Sequence, residues 1–190
     1  MSKITLHNKA NTKKKKGNKK MAIRTVREMG DEILNKTSRE VKEMTPRIET
    51  LIEDMIETMY ETQGVGLAAP QVGVLKRIVV MDVSPSEEPE PIILINPVIL
   101  ETSGEQRGYE GCLSVPGMSG MVTRPNYAKV KALDINMEEF IIEGEELLAR
   151  CLCHEIDHLD GHLYVEKVEG RLLTNEELQE LMEQQEEEEE

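Results

Sequence analysis

At 190 residues, 38% of them apolar and 32% charged, the chain is sized for one soluble domain with a real core. No apolar run approaches the roughly 20 residues a membrane helix needs, and three cysteines are too few for a disulfide framework, so a reducing cytoplasm is expected. The net charge of −14 is unevenly placed: residues 1–20 hold eight lysines and no acid, leaving 15 basic residues against 37 acids for the remainder.

The lysine-rich start has no following apolar stretch and so does not read as a signal peptide. It also lacks aromatic side chains for base stacking, which argues against specific nucleic-acid binding, and nothing indicates a membrane partner. Blocks of like charge repel and stay solvated, so residues 1–20 are expected to be a basic disordered extension or an expression remnant, with Met21 as the original start. The acid block Glu186 to Glu190 at the other end is expected to be disordered for the same reason.

The clearest helix spans residues 46–63, where Ile48, Leu51, Ile52, Met55, Ile56, Met59 and Tyr60 recur at three- and four-residue spacing. Thr45 suits its N-cap, Pro46 its first turn and Gly64 its end. A tight segment of small residues, 64–71, follows. Residues 77–83 and 92–100 read as strands, the second broken by Asn96-Pro97. Residues 107–136 read as further strands and turns, with 121–123 and 128–132 the clearest strand pieces. A second helix spans about 145–160 and stops at Gly161. A third starts at Asn175, with Leu178, Leu181 and Met182 on one side. With one Phe and no Trp, aliphatic side chains and the 11 methionines must fill the core. The order predicts an α+β fold, mixed or antiparallel strands packed around a central helix, with one N-terminal and one C-terminal helix. A catalytic domain over 21–170 is followed by an acidic helix and tail over 171–190.

The chemistry lies in His154-Glu155-Ile156-Asp157-His158. Helical positions four apart share a face, so both imidazoles can reach one metal ion. Glu155, offset by one residue, can take a proton from an activated water and pass it to a leaving amine. A catalytic site needs one more protein ligand. The candidates are His162, Cys112, Cys151, Cys153 and the acids. Metzincin proteases add a third histidine after glycine and two intervening residues, whereas Gly161 touches His162 directly, which argues against His162. Cys153 is rotated about 100° from the metal face and reads as packing. Cys112 lies between glycines that permit close backbone approach, and the residues alone leave it open between ligand and buried turn cysteine.

Three segments, in order, resemble the peptide deformylases: Gly64-Val65-Gly66-Leu67-Ala68-Ala69-Pro70-Gln71, Glu110-Gly111-Cys112-Leu113-Ser114, and His154-Glu155-Ile156-Asp157-His158-Leu159-Asp160-Gly161. The likeness covers roughly residues 21–170. It implies a hydrolase that removes the formyl group from the N-terminal formyl-methionine of nascent polypeptides and releases formate. It implies Cys112, His154 and His158 as ligands of one divalent metal, Fe²⁺ first and Ni²⁺, Co²⁺ or Zn²⁺ as alternatives, with Glu155 as general base and acid. Gln71 and the Leu113 backbone N–H correspond to the oxyanion donors. Val65, Gly66 and Gly111 correspond to the substrate groove, and Cys151 to the wall of the methionine pocket. Transient ribosome association belongs to the family, but the acidic C-terminus here differs from the basic one some relatives present. Cys153 stands where the family usually has Gln, Glu32 replaces a common Pro, and Asn136-Met137 occupies a turn that often carries Gly. The nearest rival is a zinc endopeptidase, which would take its third ligand from His162 or a downstream acid instead of Cys112.

Overall fold

The structure, a computed structural model, describes residues 5–7, 22–84 and 89–189. Helix α1 (Pro46–Glu61) forms where the periodicity places it. The Thr45 side chain accepts from the Ile48 N–H, and Pro46 occupies the first turn, where a missing N–H costs nothing. The helix ends earlier than expected: Gln63, not Gly64, takes the left-handed turn (φ 56°), and the Gly64 N–H donates to the Met59 carbonyl at 2.9 Å. The buried stripe Leu51, Ile52, Met55 and Met59 packs on Ile78 and Val80 of strand β3 (Ile78–Met81). Truncating one such side chain to alanine typically costs about 2–5 kcal/mol.

Strand β3 belongs to a six-stranded sheet whose neighbouring strands all pair antiparallel. Its other members are β1 (Thr5–His7), β2 (Gly66–Ala68), β4 (Ile92–Ser103), β7 (Tyr127–Leu133) and β8 (Glu139–Glu145), in the order β1-β8-β7-β4-β3-β2. The break expected at Asn96-Pro97 is a register shift in β4. Asn96 adopts φ 51°, which asparagine tolerates, and its side-chain amide clamps the Val41 backbone N–H and C=O, both at 2.8 Å. The remaining strands, β5 (Gln106–Cys112), β6 (Val115–Arg124) and β9 (Glu169–Thr174), form a three-stranded antiparallel sheet in the order β5-β6-β9.

Helix α2 (Glu146–Asp160) lies against β2, β3, β7 and β8. Its Leu148, Leu152, Ile156 and Leu159 share a core with Val79, Met81, Leu94, Val130 and Ile142. His154 and His158 both lie on this helix. Gly161 ends it in the left-handed conformation (φ 86°), with an added Cβ falling 2.8 Å from the Asn35 carbonyl carbon. Gly161→Ala should therefore destabilise the fold by about 1–3 kcal/mol in denaturant melts, from backbone strain before any overlap is counted.

Both termini carry described secondary structure. Most of residues 1–20 lie outside the described residues, but Thr5–His7 is a strand, placed with Leu6 opposite Ile142 on the open edge of β8. A sheet edge offers unpaired N–H and C=O groups that an extended segment can complete. Helix α3 (Asn175–Glu189) carries helical backbone through most of the acid block expected to be disordered, consistent with the strong helix propensity of glutamate. Among the described residues no helix is long and apolar enough to cross a membrane.

Candidate active site

A cavity of about 510 Å³ opens where the two sheets and α2 meet. Val65, Gly66, Gln71, Gly111, Cys112, Leu113, Cys151, His154 and Glu155 all line it. Of the site residues that the resemblance implies, only His158 stands behind the wall, 1% exposed.

Cys112 ends β5 and faces α2. Its sulfur lies 3.2 Å from His158 Nε2, and one ligand atom from each of Cys112, His154 and His158 falls within 4.8 Å of the others. The Ser114 backbone N–H points at the same sulfur from 3.4 Å, stabilising negative charge there. His154 donates from Nδ1 to Glu110 Oε2 at 3.0 Å, which leaves its Nε2 for an ion. Tyr164 stacks on the His154 ring with centroids 6.0 Å apart and donates its hydroxyl to the Met118 carbonyl. One thiol and two imidazoles with an open cavity side match a catalytic site for a soft or borderline divalent ion.

The electrostatics fit a cation as well. Burial pushes the Glu110 carboxyl upward, yet donation from His154 and Arg124 outweighs it and brings the group to about 2. Burial disfavours a charged His154, but hydrogen bonds to Cys112 and Glu110 overcome that and raise it to about 10. The surroundings of His154 thus favour positive charge between three acidic groups, a role a metal ion fills. Burial lowers His158 well below the usual imidazole range, keeping it neutral, as a ligand must be.

Glu155 is 4% exposed, and burial raises its carboxyl to about 7. Its Oε2 has no hydrogen-bond partner among the described residues. The carboxylate lies directly over Gly66, where an added Cβ would overlap it. Gln71 belongs to a 3₁₀ turn, Ala69–Val72. Its Oε1 accepts from the Ala68 N–H at 2.8 Å, and its Nε2 donates to Ser114 Oγ at 3.1 Å and sits 3.6 Å from Cys112 Sγ. The Arg27 N–H binds the Gln71 carbonyl and the Met29 N–H the Ser114 carbonyl, both at 2.7 Å, so the segment before α1 braces both residues.

The other residues weighed as a third donor lie apart from this cluster. His162 is at the surface, its Nδ1 2.9 Å from Glu166 Oε2, outside the ligand group. Cys151 turns its thiol to the Val65 carbonyl at 3.7 Å. Cys153 packs in the core between α2 and the large sheet, where burial pushes its thiol up.

Sequence reasoning missed the polar frame behind the Cys112, His154 and His158 cluster. Arg124 grips Glu110 through Nε and Nη2, at 2.9 and 3.0 Å, and binds Asp157 through Nη1. Asp157 also takes Lys167. Once β5 is placed as a strand, Glu110 and Cys112, two apart, both face α2.

The family model for polypeptide deformylase matches residues 23–172. The chain is 65% identical to a peptide deformylase of Agathobacter rectalis over 162 residues, covering 84% of this chain and 100% of that one. It is 68% identical to a peptide deformylase of Lachnoclostridium phytofermentans over 152 residues, covering 80% and 93%. Its fold resembles the crystal structure of a peptide deformylase from Legionella pneumophila at TM-score 0.74 and 42% identity, covering 86% and 98%. With most of its length matched by that model and by relatives at this identity, the chain belongs to the peptide deformylase family.

Proposed function

We propose that this chain hydrolyses the formyl group from the N-terminal formyl-methionine of nascent polypeptides, giving formate and a free amine. Cys112, His154 and His158 hold one divalent ion, Fe²⁺ in the first place, with Ni²⁺, Co²⁺ or Zn²⁺ able to replace it. The observation that carries this reading is the meeting of those three donors, within 4.8 Å of one another, at a cavity that also holds Glu155 and Gln71. When bound, the ion supplies the Lewis acidity that makes water a nucleophile near neutral pH.

Glu155 moves the protons. A buried carboxyl near 7 can both accept a proton from water and surrender it to the departing amine. Gln71 and the Leu113 N–H stabilise the negative charge that develops on the formyl oxygen as its carbon is attacked. The Gln71 amide is fixed beforehand, because Ala68 holds its oxygen and Ser114 accepts from its nitrogen. Losing one such donor typically costs ~10²–10³ in rate. Val65, Gly66 and Gly111 form the groove for the peptide, and Cys151 walls the methionine side chain. The acidic helix α3 carries no basic residue, so a transient ribosome contact would not run through it to RNA phosphates. The reaction belongs in the cytoplasm.

An Fe²⁺–thiolate centre is open to oxidation, so the test uses anaerobic protein. Stripping the metal with a chelator should abolish formate release from formyl-Met-Ala, and adding back Fe²⁺ should restore it. Undiminished turnover in protein shown metal-free by elemental analysis would overturn the reading.

A further inference from the structure

Arg150 stands one helical turn before His154 on α2, so the two project from the same face. Its guanidinium reaches across into the β5–β6 hairpin. Nη1 donates to Glu110 Oε1 at 2.7 Å and to the carbonyls of Val122 and Gly108 at 3.2 and 3.4 Å. Nη2 donates to the Gln106 carbonyl at 3.2 Å, and Nε to the Gln106 side chain at 3.4 Å. The other oxygen of that same Glu110 carboxylate accepts from His154 Nδ1. Gly108 makes the approach possible: a Cβ there would stand 3.3 Å from Arg150 Nη2, tighter than an ordinary contact.

Arg124 already grips Glu110 from the strand side, and Arg150 adds a second charge-assisted donor to Oε1 from the helix side. The carboxylate is thereby fixed in rotation, with Oε2 turned to the imidazole. Arg150 also ties α2, which carries both histidines, to the hairpin that carries Cys112. We infer that Arg150 is a positioning residue for the metal centre, locking Glu110 onto His154 and holding the two halves of the ligand set at a fixed separation. This rests on the metal-centre reading above. Although Arg150 borders the cavity, all its nitrogens donate within the protein, so it is not a free receptor for a substrate carboxylate.

The test compares the full-length wild type with Arg150→Met and Arg150→Lys, each stripped and loaded anaerobically with Co²⁺. Arg150→Met should bind Co²⁺ more weakly in chelator competition, by up to the ~10–100-fold that loss of a ligand's direct partner such as Glu110 would cost. Its visible Co²⁺ absorption should shift, and kcat for formyl-Met-Ala should fall with KM nearly unchanged. Arg150→Lys keeps one donor for Glu110 and should recover part of the affinity. Should the Met variant fail to fold, an intermediate affinity and a shifted spectrum in the Lys variant support the inference in its place. Wild-type affinity and spectrum in a folded Met variant, or in the Lys variant where the Met variant does not fold, overturn the inference, whatever happens to thermal stability. So does a rise in KM alone, which would assign Arg150 to substrate. A wild type that takes up no Co²⁺ removes the metal-centre reading as well, whereas a loaded wild type beside an unaffected Arg150→Met removes this inference alone.

Discussion

Glu155→Ala should keep its metal and lose turnover by at least ~10²–10⁴-fold, the range for a positioned general acid–base group. Glu155 is not among the three clustered donors, so metal content by elemental analysis should match the wild type. No other described carboxyl stands ready to substitute: Glu110 is consumed by two arginines and His154, and Asp157 by Arg124 and Lys167. Gly66→Ala offers an independent route to the same defect. An added Cβ would come within 2.8 Å of Glu155 Cδ and 2.9 Å of Cγ, and a side chain this buried cannot swing clear. The carboxylate should be displaced, and kcat should fall while metal content holds. Retained formate release in Glu155→Ala would show that the proton travels by another path.

How far the sequence revealed the fold and site depended on whether the signal was local. Helices α1 and α2 announced themselves through apolar residues at three- and four-residue spacing and through Thr45 and Gly161 at their ends. Strand β8 was readable in principle, since Phe140, Ile142 and Gly144 alternate inward, but Glu139, Glu143 and Glu145 masked the pattern. Strand β5 falls in the stretch 107–136 read as strands and turns, but its bounds and facing could not be placed. Arg107-Gly108-Tyr109-Glu110-Gly111 has no apolar alternation, and pairing with β6 rather than propensity makes it a strand. With β5 went Glu110, because a glutamate gives no sign in sequence that it will be 5% exposed. The third ligand shows the same limit. Spacing could weaken His162 but not choose Cys112, whereas the folded chain puts the Cys112 sulfur beside His158 and leaves His162 paired with Glu166 at the surface.

Cys112→Ala should strip the site of its metal. The variant leaves two imidazoles from one helix, and a mononuclear catalytic centre of this type needs three protein ligands. The lost ligand is also the anionic one, so affinity should fall by more than the ~10–100-fold that an outer hydrogen-bond partner is worth. Metal per chain, measured after gel filtration, should drop to a small fraction of the wild-type value, and formate release should vanish with it. The other two thiols supply the control. Cys151 faces the Val65 carbonyl and Cys153 packs in the core, so Cys151→Ala and Cys153→Ala should both retain metal. Cys153→Ala then tests whether the residue standing in the usual glutamine position matters to the centre at all; unchanged affinity would mark it as packing. Full occupancy in Cys112→Ala would refute the ligand assignment, because no described His, Cys, Asp or Glu outside that trio forms a comparable donor group.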